Sequence, residues 1–317
     1  METIYFLVQQ TMLFSIPLLL VALGGMFSER SGVVNIALEG IMIIGAFTGI
    51  FFISRFGNLF SPTITLFIAI IISALSGLIF SLLHAYASIN MSADQVISGT
   101  ALNIFAPAFA IYVTRAIQVV QQISFINNFR IESVPVLGSI PIIGNLLFKN
   151  AYITTYLGFI ILALSWFALY KTRFGLRLRS CGEHPQAADS VGINVYKMRY
   201  FGVAISGALA GIGGLVFVIP TSTNFNATVA GYGFLALAVL IFGQWKPIRI
   251  LYAAFFFGLM KTLASAYSGI PILSNLPISN SVYKMIPYIT TIIVLAFTSK
   301  NSQAPKASGL PYDKSVR

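Results

Sequence analysis

Long apolar runs broken by short polar interruptions make up most of this chain. A helix needs about 20 predominantly apolar residues to cross the hydrocarbon core of a bilayer. Nine segments match or approach that length, at 4–27, 32–54, 63–84, 95–114, 151–170, 200–220, 228–243, 250–267 and 282–298. The expected fold is all-α and polytopic: one transmembrane unit over 1–317 with about nine spans, or eight to ten, since 29–54 also reads as re-entrant. The 4–27 run has no basic segment before it and no small-residue cleavage site, so it reads as a span rather than a leader.

Two of these segments are interrupted. The second contains Gly32, Gly40, Gly45 and Gly49, and it carries Asn35 and Glu39 at helical spacing on one face. The seventh is short, about 24 Å if fully helical, and Gly231 and Gly233 break it. In transporters, broken or short helices expose backbone groups beside the substrate. Aromatic residues near the outer mouth (Phe225, Tyr232 and Phe234) offer faces for a flat ring, although packing and lipid contact use most aromatics in such chains. Elsewhere Ser73, Gly77 and Ser81 form a small-residue ridge, and Gly207 with Gly211 forms a GxxxG pair, both suited to close helix approach. The segments 72–78 and 205–211 are alike in texture and enter the membrane from opposite sides, as in an inverted repeat. Ser92 and Gln95 match a capping box with Ser92 as the N-cap. Pro135, Gly138, Pro141 and Gly144 exclude one continuous helix from 115–150.

Composition agrees with this pattern: 57% of residues are hydrophobic and only 9% charged, where soluble domains carry about 25%. A formal net charge of +11 raises the question of nucleic acid. The Lys and Arg residues instead gather at helix ends and loops, as the positive-inside rule requires, so no nucleic-acid partner is expected. That rule places 28–31, 85–94, 171–199, 244–249 and the polar tail 299–317 in the cytosol. The N-terminus, 55–62, 115–150, 221–227 and 269–281 fall outside.

The segment 171–199, KTRFGLRLRSCGEHPQAADSVGINVYKMR, stands out between apolar runs. It holds Lys171, Arg173, Arg177, Arg179, Lys197 and Arg199 against Glu183 and Asp189. Gly182 and Pro185 break it, 185–191 can wind, and Gly192 can close that turn. A compact, patterned cytosolic loop of this kind suits docking to a partner. The lone Cys181 excludes an internal disulfide and reads as an inert thiol.

No enzyme constellation is present. His84 and His184 lack metal-ligand spacing, no Gly-x-Ser-x-Gly occurs, and Lys261-Thr262 lacks the glycine of a phosphate-binding loop. If ATP drives this protein, another subunit binds it; no cofactor and no metal are expected in this chain. Glu39 is the notable single residue, since a carboxylate at mid-membrane costs roughly 2.5–3.5 kcal/mol on insertion scales. It lines a polar pathway with Asn35, or it pairs with Arg30 near the cytosolic end. Lys261 either joins the pathway or snorkels to the outer surface. Asn103 bonds another helix or a ligand.

The motifs in and around the charged loop bring a family into view. TRFGLRLR at 172–179, GEHPQAADSVGIN at 182–194 and SGALAG at 206–211 resemble the permease subunits of ABC importers of the branched-chain amino acid and simple-sugar superfamily. The resemblance implies that Gly182, Glu183, Pro185, Ala187, Ala188, Gly192 and Ile193 form the cytosolic coupling helix that docks on an ATPase. His184 departs from the pattern, where Asn is common. ERSGVVNIALEG at 29–40, GYGFLALAVLIFG at 231–243 and APKASGLPYDK at 304–314 are similar to the nucleoside branch. The resemblance spans nearly the whole chain. It implies two ABC ATPase subunits, a second and related permease, and an extracytoplasmic substrate-binding lipoprotein or protein that docks on the outer loops. The setting it implies is a bacterial cytoplasmic membrane, and the cargo a nucleoside, with a simple sugar or branched-chain amino acid as alternatives. Two other classes compete: an ion-coupled secondary transporter using Glu39 and Lys261 as a charge relay, and a non-transporting scaffold that tolerates substitution of Glu39 and Asn35.

Overall fold

The computed structural model describes residues 2–126, 128–135, 138, 140, 141, 144–267, 279–298 and 303–314. The helices are α1 (Glu2–Arg30), α2 (Leu38–Phe56), α3 (Pro62–Ile89), α4 (Gln95–Gln118), α5 (Ile153–Lys171), α6 (Arg173–Glu183), α7 (Pro185–Ser190), α8 (Val195–Thr221), α9 (Tyr232–Phe242), α10 (Pro247–Ala266) and α11 (Asn280–Thr298). Seven of the nine expected spans are long and apolar enough to cross a membrane among the described residues: α1 to α5, α8 and α10. The seventh expected span forms only the 11-residue α9, because the chain before Tyr232 is not helical. The ninth forms α11. Most of the turn 269–281, expected on the outside, lies outside the described residues, as do 299–302 and 315–317 of the tail.

The second half of α1 and most of α8 are apolar all round and buried, as central helices must be. Around α8 pack α1, α2 and α3. The small-residue motifs serve this internal packing. A Cβ on Gly211 would run into the Ser73 carbonyl, and one on Gly45 would run into Gly211. Ser73 Oγ in turn donates to Gly45 O at 2.8 Å. The look-alike segments 72–78 and 205–211 therefore lie directly against each other.

Two short antiparallel ladders decorate one end of this otherwise all-α fold. β1 (Ile123–Ser124) pairs with β4 (Asn224–Phe225), and β2 (Arg130–Ser133) pairs with β3 (Lys149–Tyr152). Ser54 Oγ donates to Ser124 O, and Gln9 Nε2 donates to Asn145 O. The described residues of 55–62, 115–150 and 221–227 thus share an end with the start of α1. At the opposite end gather 28–33, 85–94, 171–199, 243–246 and 303–312. The two groups that charge alone assigns to opposite sides are also separated in space.

The capping box is misread from the sequence. Asp94, not Ser92, is the N-cap of α4, and its Oδ1 accepts from the N–H groups of Val96 and Ile97. Ser92 lies at φ 52°, in the loop before it. Gln95 turns away to accept from Val34 N–H at 2.7 Å.

Candidate functional site

The two interrupted stretches meet. Residues 31–37 between α1 and α2 are not helical, and neither are 222–231 ahead of α9. Irregular backbone at membrane depth must find partners inside the protein. In the first stretch side chains supply them. Ser28 Oγ donates to Val33 O, His84 Nε2 pairs with Val34 O, and Asn103 Nδ2 donates to Ile36 O. Asn35 Oδ1 accepts from Ala37 N–H, and Asn103 Oδ1 accepts from Gly40 N–H at 2.7 Å. Asn35 Nδ2 also donates to Ser206 Oγ at 2.9 Å, fixing the stretch to α8. Asn35 and Asn103 are therefore braces of the broken backbone.

Glu39 does the same for the second stretch. Its Oε1 accepts from Gly231 N–H at 2.9 Å and its Oε2 from Gly233 N–H at 2.6 Å. The carboxylate sits on the N-terminus of α9, where free N–H groups and the helix dipole favour a negative charge. This corrects the alternative of a Glu39–Arg30 pair: Arg30 instead lies 3.6 Å from Glu183 and donates to Trp245 O. An 11-residue helix is about 16 Å long. Because α9 ends at the turn that meets Glu29 and Arg30, its capped start lies about halfway across a core of roughly 30 Å. Gly233 is required by close approach, since a Cβ there would collide with the backbone of Glu39.

Tyr232, the first residue of α9, is buried, with its ring centroid 4.0 Å from that of Phe217 and its hydroxyl without a partner among the described residues. Lys261 of α10 reaches the same ring, its Nζ 5.7 Å from the centroid. The fold thus brings Asn35, Glu39, Gly231, Gly233 and Lys261 into one region. Phe234 follows Gly233 on α9 and its side chain is half exposed. Sequence reasoning missed His84, Gln95, Phe217 and Ser206; only the need to satisfy broken backbone would have pointed to the polar three.

At the charged end α7 stands where 185–191 was expected to wind, with Pro185 at its first turn. Gly192 closes it at φ +84°, a conformation that disfavours other residues. Ile193 N–H donates to Ala188 O at 3.0 Å. Gly182, Pro185 and Ala188 face the body of the protein, while His184, Ala187 and Gly192 face outward beside Val191, and Glu183 and Ile193 are half-buried. Cys181 is fully buried, and burial pushes its thiol up to about 11. At the opposite end, a cleft of about 130 Å³ is lined by Gln9, Gln10, Arg130, Lys149 and Tyr152 among others.

Compared with known proteins, the chain matches over residues 7–295 the family described as "Branched-chain amino acid transport system / permease component". It is 42% identical to the Nucleoside ABC transporter permease protein NupC of Lactococcus lactis subsp. cremoris, over 99% of this chain and 98% of that protein. It is 45% identical to the Guanosine ABC transporter permease protein NupQ of Bacillus subtilis, over 98% and 97%. A lower similarity, 25% identity over 92% and 81%, links it to the Nucleoside ABC transporter permease protein NupB, also of Lactococcus lactis. No solved structure matches the chain.

Proposed function

This chain belongs to the family of branched-chain amino acid transport system permease components, and we propose that it is the nucleoside-translocating subunit of an ATP-driven importer. The observation that carries this reading is the full-length similarity to NupC and NupQ, which are named for nucleosides and guanosine. The paired broken stretches around Glu39, Tyr232 and Lys261 supply a polar region at mid-membrane depth, where transporters of several folds hold their cargo. Beside the Phe217 ring, the Tyr232 hydroxyl is a buried donor in need of a partner, which a polar cargo could supply.

In this reading α7 is the coupling helix. His184, Ala187, Val191 and Gly192 present its outward face to an ATPase subunit, while Gly182, Pro185 and Ala188 anchor it. Two ATPase subunits bind and hydrolyse ATP; this chain performs no bond chemistry and holds no cofactor. Closure of the ATPases moves α7 and rocks the helices around the site between outward-open and inward-open states. Lactococcus lactis carries both NupB and NupC, which supports pairing with a related but distinct permease. The basic residues of 171–199 and 244–249 put that end in the cytosol, with the N-terminus outside a bacterial cytoplasmic membrane. A substrate-binding lipoprotein delivers cargo to the end carrying 115–150.

Uptake of labelled guanosine and uridine tests this. Cells lacking the gene are complemented with the wild type or with Glu183→Arg. Restored ATP-dependent uptake with the wild type, and its loss in Glu183→Arg at equal membrane abundance, supports both the cargo and the docking loop. Uptake of neither nucleoside by wild-type cells overturns the cargo.

A further inference from the structure

The C-terminal segment was expected to be a polar tail, yet Gln303–Tyr312 is bound to the body along its length. Gln303 N–H donates to the side chain of Gln244 in the α9–α10 turn at 2.8 Å. Ala307 N–H donates to Gly182 O at the end of α6, also at 2.8 Å, and Gly309 N–H donates to Gly32 O after α1 at 3.2 Å. Leu310 O accepts from Nη1 of the fully buried Arg199 on α8 at 3.0 Å. The Tyr312 ring covers the Arg199 guanidinium and meets Tyr196 edge-on at 5.3 Å.

We propose that Gln303–Tyr312 is a positioning strap that ties the coupling helix to α9, with Tyr312 on Arg199 as its lock. A helix of six residues has no stability of its own, so α7 is held by what its flanks grip. Both flanks, Gly182 before it and Arg199 after it, are gripped by the strap. The same strap holds Gln244, two residues past the end of α9, whose other end is capped by Glu39. Displacement of α7 is thereby delivered to α9 through one bonded segment rather than through the short loops between helices. Two of these bonds join backbone to backbone, Ala307 to Gly182 and Gly309 to Gly32, so the register of the strap is fixed and it moves with what it holds.

The inference rests on the docking reading of α7, and it does not depend on the cargo. The test uses the complete complex with its ATPases and permease partner in liposomes. A fluorophore is placed at Phe234→Cys on α9, with Cys181, which packs in one cluster with Tyr312, and the accessible cysteines of the partner subunits replaced by serine. ATP is expected to change the signal with wild-type Tyr312. Tyr312→Ala should cut that change at least fivefold with hydrolysis within twofold, and Tyr312→Phe, which keeps the ring, should retain it. An unchanged signal in Tyr312→Ala overturns the strap. So does a parallel fall in signal and hydrolysis, which marks simple structural support, and so does a wild type in which ATP moves nothing at α9. Ala187→Arg run alongside separates the two readings: if it leaves hydrolysis and signal untouched, the docking of α7 fails instead.

Discussion

Glu39 and Gly233 lie 194 positions apart, and the carboxylate of one receives the backbone N–H of the other at 2.6 Å. This bond explains how α9 can begin inside the protein. The free N–H groups at a helix start need acceptors, and the Glu39 carboxylate supplies them. One residue on α2 accepts from two of them and turns a liability of the broken span into a join between two helices.

Glu39 substitutions should therefore fall in a graded order. Alanine leaves the buried Gly233 N–H without a partner, at roughly 1–3 kcal/mol, and removes the acceptor of the part-buried Gly231 N–H at a smaller cost. Glutamine keeps one acceptor oxygen and presents an amide NH₂ to the second donor. The melting temperature of the purified protein should fall from wild type to Glu39→Gln to Glu39→Ala, with uptake lost at least tenfold in Glu39→Ala. An unchanged melting temperature in Glu39→Ala would show that the cap does not hold α9.

Gly231 and Gly233 should behave differently although both are capped by Glu39. A Cβ on Gly231 meets no atom within 4 Å, so only its φ of +77° resists alanine, at a cost of about 1 kcal/mol. A Cβ on Gly233 meets Glu39 Oε2 at 2.8 Å and its backbone closer still, so α9 must move away. Gly231→Ala should keep uptake within about threefold, and Gly233→Ala should abolish it while still reaching the membrane. Equal effects would mean that the α2–α9 contact is not limiting.

The parts of this architecture that were legible in the sequence are those that leave a pattern in residue type. Apolar length located the spans, basic residues separated the two ends, and Pro185 with Gly192 bounded α7. The interrupted spans were visible as a pair through Gly40, Gly231 and Gly233. Their partners were not, because a carboxylate on a distant backbone N–H has no spacing to read. The strap was invisible for a related reason: Ala307 and Gly309 bind through main-chain groups that every residue carries. The α4 cap failed because Ser92 and Asp94 both suit an N-cap by type, and only the backbone at φ 52° removes Ser92.

Cys181 should resist alkylation in the folded protein. With its thiol at about 11, roughly one molecule in several thousand carries a thiolate at pH 7.5, and burial blocks access to that fraction. Raising the pH toward 11 favours the thiolate and should speed whatever reaction occurs. Maleimide labelling at pH 7.5 should be negligible in mild detergent and complete in SDS. Fast native labelling would show that the α6–α8 packing over Cys181 opens readily.

Docking and stability can be separated at the proposed coupling loop by two substitutions. The Arg30–Glu183 pair spans 3.6 Å and the Glu183 side chain is 42% exposed. A pair this accessible contributes at most about 1 kcal/mol, so Glu183→Ala should hardly change the melting temperature. Ala187 is exposed on the outer face of α7 and makes no demand on the core, whereas Ala188 beside it is 3% exposed. Ala187→Arg should leave folding intact and reduce recovery of the ATPase with the tagged permease at least fivefold, because the added bulk and charge lie between α7 and its partner. Ala188→Arg should instead lower the amount of folded protein. If Ala187→Arg assembles and transports as the wild type does, the ATPase docks elsewhere on this end, and the exposed surface of α6 around Leu176 and Arg177 becomes the place to look.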